Sequence, residues 1–391
     1  MSGTDCALLS PFKIRDTAFP NRVVLAPMMQ CRAIDGHMSD WHLVHYGKFA
    51  LGGFGTVMTE AVAVEPGGRI SYGCPGLWSD DHIPMLRRIV DFVHSQGALA
   101  AIQLGHSGRK GSSHRPWEAN YGPITPADAL PGEGPWPLVG PVAKPVTEGS
   151  LAPHALTVEE IRAIVIRFGE AARRADEAGF DMIEIHGAHG YLIASFLTPL
   201  VNERTDEYGG DRSGRMRLAL EVTREIRANW PAGKALFFRV SSEDGGGPGG
   251  WSVEDSVALA RELHQAGVDV VDCSSGGLRS SAVLQNNARG LGFQVPYADQ
   301  IRHDASLPTM AVGLILDGQQ AEAILREDRA DFIAIGRQAM YDPFWVHHAA
   351  QQLQTDPQFN QWNESAGWWL QRRVGTLKLA GCRADGTRAE A

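Results

Sequence analysis

The sequence is short of three things, and each shortage removes a class of function. Basic charge is not in excess: 36 Lys and Arg stand against 45 Asp and Glu, a net charge of −9, whereas phosphate-backbone binding calls for a basic face. Nucleic acid is not an expected partner. Cysteine is sparse, with five in 391 residues (Cys6, Cys31, Cys74, Cys273, Cys382), an odd, scattered set lacking any C-x-x-C pair. Neither a disulfide framework nor an iron–sulfur or zinc cluster is indicated, and a reducing cytoplasm fits best. Long apolar runs are missing too: none reaches ~18 residues, and the first sixteen residues lack a basic start followed by an apolar stretch. A secreted or membrane-bound protein is not expected. With 43 % hydrophobic and 21 % charged residues, disorder is excluded as well.

What the chain has in plenty is glycine, 44 residues, gathered after apolar runs, where a backbone turns sharply or approaches a ligand closely. Those runs are short and β-branched or apolar: Val23–Pro27, Thr56–Val62, Ala98–Leu104, Asp181–His186, Ala235–Ser241, Asp269–Ser275, Pro308–Gly313 and Asp331–Arg337. Amphipathic stretches separate them. One runs from Thr157 to Ala178, with Thr157 and Glu160 spaced as a capping box and Gly179 as its stop. Ser252 and Asp317 are the expected caps after the fifth and seventh runs, and Asp81 or its neighbour after the second. Eight alternating pairs predict an α/β chain folded as a (β/α)8 TIM barrel. A doubly wound open sheet stays second, because strand order cannot be read from sequence.

Two segments break the repeat. After the third run comes a Gly/Pro/Trp-rich excursion, 105–153, carrying Trp117, Tyr121 and Trp136, which reads as a lid-like insertion. After the barrel, 1–351, a C-terminal extension over 352–391 brings Trp362, Trp368 and Trp369 beyond Trp345, suggesting a packing or subunit surface. A polar tail from Arg383 reads as disordered.

Chemistry in such barrels sits at the C-terminal ends of the strands. There the glycines after the last three strands (Gly276, Gly313, Gly336), with Ser275 and Arg337, make a phosphate site by chemistry: backbone N–H groups approach an anion and a guanidinium forks onto it. The bland alternative is turn glycines and an Arg337 paired to a surface carboxylate. His186-Gly-Ala-His189 reads as donors to a polar substrate, as a structural pair, or as two metal ligands without a third at ligand spacing. Tyr191 is a core aromatic or a proton donor. Gln103 and Arg239 are polar in apolar strands and need dedicated partners. A heterocyclic cofactor would serve, with a salt bridge from Arg239 to Glu60 or Glu184 as the alternative.

These residues fall in motifs that resemble the Old Yellow Enzyme family of FMN-dependent ene-reductases, in its xenobiotic-reductase-like branch. The motifs are NRVVLAPM (Asn21–Met28), IQLGHSGRK (Ile102–Lys110), the long AGFDMIEIHGAHGYLIASFLTPLVNERTDEYGGDRSGR (Ala178–Arg215), FRVS (Phe238–Ser241), DCSSGG (Asp272–Gly277) and IAIGR (Ile333–Arg337). The resemblance implies FMN at the barrel mouth, its phosphate at Ser275, Gly276, Gly313, Gly336 and Arg337. Pro27, Met28, Met29 and Ala61 would contact the ring, Gln103 its pyrimidine edge, and Arg239 the N1/C2 side, with His186 also at the cofactor. It further implies that NAD(P)H reduces FMN, leaves, and is replaced by an activated alkene. His186 and His189 would bond the carbonyl or nitro oxygen, and Tyr191 would give the proton. A dimer or tetramer is the family expectation.

Three departures lie on the substrate side. Met29 stands where the branch carries a flavin-contacting cysteine, and Cys31 where a ligand-contacting tyrosine is usual. Ala366-Gly367-Trp368 stands where an R-G-W segment is usual. They suggest a bulkier enone or acyl substrate, with Arg109, Lys110, His114 and Arg115 near the insertion. Demethylation, redox-neutral isomerisation or acyl-CoA reduction on the same barrel remain alternatives, as does a non-catalytic flavin carrier.

Overall fold

The computed structural model describes residues 6–119, 121–127, 129–147, 150–279 and 289–382. Arg383 and the tail after it lie outside the described residues. All eight expected strands form: β1 (Val23–Leu25), β2 (Thr56–Ala63), β3 (Leu99–Gly105), β4 (Met182–Gly187), β5 (Ala235–Ser241), β6 (Val270–Ser274), β7 (Thr309–Val312) and β8 (Phe332–Ile335). Each pairs in parallel with the next, and β8 returns to β1 with Ile335 opposite Leu25, closing the barrel. The closing pair rules out the open sheet.

Alternation along the strands divides the apolar residues into two cores. One set, including Val24, Met58, Ala101, Met182, Phe237, Met310 and Phe332, fills the barrel interior. The alternate set, including Val23, Val57, Ile102, Ile183, Phe238 and Ile333, packs outward on the helices. A hairpin of Phe12–Ile14 and Thr17–Phe19 closes the N-terminal end. Its Phe12 and Phe19 meet the Phe332 ring at centroid distances of 5.2 and 4.8 Å.

Helix boundaries follow their capping chemistry. Thr157 and Glu160 form the capping box of Val158–Ala178, which Gly179 ends in the left-handed region at φ 95°. Ser252 accepts from Asp255 N–H, and Asp317 from Gln320 N–H. After β2 the N-cap position of the helix is His82, the neighbour of Asp81, with no side-chain cap bond. A 3-10 turn over Asp80–His82 precedes the helix Ile83–Ser95, and Ser79 Oγ caps that turn.

The excursion after β3 is fastened to the barrel at several of its described residues. Trp136 Nε1 donates to Gly67 O at 3.2 Å and Tyr72 hydroxyl to Gly134 O at 2.8 Å. The Arg32 guanidinium stacks over both Trp41 and Trp117. The C-terminal tryptophans divide. Trp345 is buried and Trp362 stacks on Phe344, whereas Trp368 and Trp369 are 47 % and 67 % exposed on the helix Glu364–Leu379.

Candidate active site

Inside the barrel, the inward-facing row turns from apolar to polar near the mouth. Two residues beyond Ala101, Met182, Phe237 and Val270 stand Gln103, Glu184, Arg239 and Asp272, one each from β3 to β6 and all buried. Gln103 Nε2 donates to Glu184 Oε1 at 2.7 Å, and Arg239 Nε lies 3.2 Å from Asp272 Oδ2. The ion-pair partner of Arg239 is therefore neither Glu60 nor Glu184, because β5 and β6 set Arg239 directly opposite Asp272. Glu60 is engaged elsewhere: it accepts from the N–H groups of Gln30 and Cys31 at 2.7 and 3.2 Å and from Tyr46 hydroxyl at 3.3 Å. Those bonds fix the loop carrying Met29 and Cys31. Burial pushes Glu60 up to about 8, against the pull of its donors.

Above this row, β4 ends in a turn that gathers His186, His189 and Tyr191. The His186 ring centroid is 5.3 Å from that of His189 and 5.0 Å from that of Tyr191, both edge to face. The histidines are not equivalent. His186 Nδ1 accepts from Ala188 N–H at 3.4 Å, which leaves Nε2 as the donor. His189 Nε2 is bonded to Ser274 Oγ at 2.7 Å, and the backbone N–H of His189 donates to Ser241 Oγ at 2.8 Å. Burial, reinforced by the positive charge of Arg239, lowers His186 to about 3 and His189 well below its ordinary value. Both are neutral imidazoles. Burial also raises the Tyr191 phenol above its ordinary value, so it holds its proton at neutral pH.

This turn is wedged between two loops. His189 itself has φ 59°, unusual for a non-glycine. Gly277, at φ 94°, lies so close that a Cβ there would stand 2.6 Å from His189 Cα. Lys110 bridges the contact, its Nζ donating to His189 O at 2.7 Å and Gly277 O at 2.6 Å and lying 5.1 Å from the Tyr191 ring centroid. Arg109 donates to the carbonyls of Lys144, Pro145 and Leu278, and Arg115 pairs with Glu133 at 2.6 Å. Lys110 and Arg109, expected near the insertion, fasten it to the barrel top, whereas Arg115 and His114, 3.9 Å from Glu118, pair within it.

At the adjacent ends of β6, β7 and β8 the structure brings together Ser275, Gly276, Gly313, Gly336 and Arg337. Gly276 and Gly313 are left-handed at φ 73° and 111°. Arg337 is exposed, and among the described residues no carboxylate stands within ion-pair range of it. Gln294, not singled out in the sequence, ties this end together. Its Oε1 accepts from Ser275 Oγ at 2.8 Å and its Nε2 donates to Val312 O at 3.1 Å. Pro27, Met28, Met29 and Ala61 lie half-buried at the ends of β1 and β2. Cys31 is buried at φ 52°, and the buried thiol of Cys74, also missed in the sequence, lies within electrostatic reach of it. Tyr121, from the insertion, comes within electrostatic reach of Cys31 and Tyr191.

This donor set fits FMN. Arg239 is a buried guanidinium whose Nε finds no hydrogen-bond acceptor, a cost that a carbonyl-bearing heterocycle would remove. An unpaired Arg337 beside left-handed glycines suits a phosphate. A flavin oxidoreductase is the class that such a barrel, with a buried guanidinium short of an acceptor, best suits.

Comparison with known proteins agrees. Residues 7–356 match the family model described as NADH:flavin oxidoreductase / NADH oxidase. A NADPH dehydrogenase of Geobacillus sp. (strain WCH70) is 41 % identical over 351 residues, covering 89 % of this chain and 95 % of that one. Among solved structures, morphinone reductase superposes with a TM-score of 0.72 at 25 % identity, over 90 % of this chain and 91 % of that one. A 2-naphthoyl-CoA reductase complex superposes with a TM-score of 0.78 at 26 % identity, over 90 % of this chain. The chain spans about half, 53 %, of that larger protein. The chain belongs to the NADH:flavin oxidoreductase, or Old Yellow Enzyme, family. FMN is its cofactor and NAD(P)H its reductant.

Among the described residues no helix is long and apolar enough to cross a membrane, and no three His, Cys, Asp or Glu side chains cluster to hold a metal.

Proposed function

We propose that this protein is an ene-reductase, reducing the C=C bond of α,β-unsaturated carbonyl or nitro compounds with NAD(P)H in a ping-pong cycle. The observation that carries this reading is the pairing of neutral His donors with a protonated phenol on one turn at the barrel mouth. FMN, when bound, supplies the two-electron chemistry that links NAD(P)H to the second substrate. His186, through Nε2–H, bonds the carbonyl or nitro oxygen and stabilises the negative charge that grows there. His189 completes the oxygen site from the Ser274 side. As neutral imidazoles they donate hydrogen bonds without surrendering a proton. That task falls to Tyr191, which delivers its proton to the α-carbon.

Pro27, Met28, Met29, Ala61, Gln103, His186 and Arg239 hold the ring system, and Ser275, Gly276, Gly313, Gly336 and Arg337 the phosphate. Cys31, with Cys74 behind it, walls the substrate side in place of a phenol. The segment 105–153 acts as a lid, through Tyr121. The exposed Trp368 and Trp369 suit a homo-oligomer, a dimer or tetramer.

The test is to reduce the holoenzyme anaerobically with NADPH, mix it with 2-cyclohexenone or a nitroalkene, and follow the return of yellow colour. Tyr191→Phe should leave reduction by NADPH unchanged and slow reoxidation by ~10²- to 10⁴-fold. Reduced enzyme that no activated alkene reoxidises would sink the reading.

A further inference from the structure

The polar row of the barrel contains an imbalance that the site does not use. Glu184 and Asp272 are both fully buried, and the interior around them is Met182, Phe237 and Val270. One cation, Arg239, stands against two carboxyl groups. His186, His189 and Lys110 face the row from above, and the imidazoles are neutral. Gln103 donates to a single oxygen, Glu184 Oε1. Glu184 Oε2 and both Asp272 oxygens have no hydrogen-bond donor.

Two adjacent carboxylates with no donor between them, sealed from water, cost several kcal/mol per charge. One proton held between them removes a charge and supplies the missing hydrogen bond. Register decides which group holds it. Asp272 is directly opposite Arg239, whereas Glu184 is opposite Phe237 on β5 and Gln103 on β3.

We propose that Glu184 is a protonated positioning residue of the cofactor site, donating its hydrogen to Asp272 and so preserving the positive charge that Arg239 presents to FMN. With Glu184 neutral, the trio of Glu184, Asp272 and Arg239 sums to zero. With both acids ionised it would sum to −1 beneath a cofactor that gains negative charge on reduction. Burial raises both acids, Glu184 further than Asp272, which Arg239 holds down.

This inference rests on Arg239 facing FMN, and its test separates the two ideas. Infrared spectra of the protein, with and without FMN, should show the carbonyl stretch of a buried protonated carboxyl group, lost in Glu184→Gln. That signal needs no FMN contact. The ratio of affinities for oxidised and reduced FMN, taken from the midpoint potential of the holoenzyme, should move less than about twofold in Glu184→Gln, since the amide mimics the neutral acid. Asp272→Asn should favour reduced FMN by roughly tenfold or more. Absence of the band in the native protein, or a Glu184→Gln shift as large as that of Asp272→Asn, overturns the proposal. A band lost in Glu184→Gln with neither variant moving the ratio keeps the proton on Glu184, but overturns its influence on FMN and the placement of Arg239. Should Asp272→Asn fail to hold FMN, the band and the Glu184→Gln ratio still decide.

Discussion

Replacing Gly277 by alanine should separate the two halves of the catalytic cycle. The added Cβ would stand 2.6 Å from His189 Cα and 2.9 Å from His189 Cβ, at a backbone φ of 94°. Neither relief is available locally, since Lys110 clamps the His189 and Gly277 carbonyls to one ammonium group. Ordinary carbon–carbon contact begins near ~3.5 Å, so the His189 turn must withdraw by roughly 1 Å. The strained φ costs about 1–3 kcal/mol and the overpacking a similar amount. If the turn moves, Tyr191 and His186 move with it, and a 1 Å misplacement costs about 10²-fold in rate. The assay is stopped-flow spectroscopy of each half-reaction, with FMN content and a urea unfolding curve as controls. FMN should be retained, reduction by NADPH nearly unchanged, alkene-driven reoxidation about 100-fold slower, and stability lower by about 2–6 kcal/mol. A variant that unfolds with the native curve and reoxidises within threefold of the native rate would refute the wedge argument.

Arg337→Ala should weaken FMN binding by about 1.5–3 kcal/mol, roughly 10- to 150-fold in Kd by fluorescence titration of the apoprotein, without altering the fold. Acidification should destabilise the protein. Burial lowers His42 to about 4, and His45 and His186 to about 3, so below pH 6.5 the unfolded chain binds protons that the native state refuses. Stability is full above 6.5 and is lost as pH falls, by up to about 2 kcal/mol per histidine at pH 5. Glu60 opposes this: raised to about 8, it keeps a proton that the unfolded chain releases above pH 4.5, so its contribution fades as pH rises. Glu184, which also keeps its proton, acts in the same direction as Glu60, and His189 in the same direction as the other histidines. Urea midpoints between pH 7.5 and 5 read the balance, which the four histidines should dominate. Thr157→Ala should cost about 1 kcal/mol with activity intact, because it removes only a helix cap.

The strands were legible because each is apolar on both faces, and the helices because Thr157, Ser252 and Asp317 announce their starts. Closure was not, since a pairing of β8 with β1 joins residues some 300 positions apart and leaves no local signal. The His186–Tyr191 turn could be read from its motif, but the division of labour between the two histidines could not. That division depends on Ser274, which arrives from another strand. Asp272 and Glu184 carried a signal that could have been used, each standing two residues beyond an inward apolar position of its strand. Glu60, Gln294 and Cys74 carried none, because their partners come from distant loops.

The phenylalanine plug at the barrel base has a consequence for traffic. With Phe12, Phe19, Phe237 and Phe332 stoppering one end, molecules bound for the interior arrive by the opposite doorway. Under the cycle proposed above, electron donor and electron acceptor would queue at that single threshold, each visitor departing before its successor is admitted.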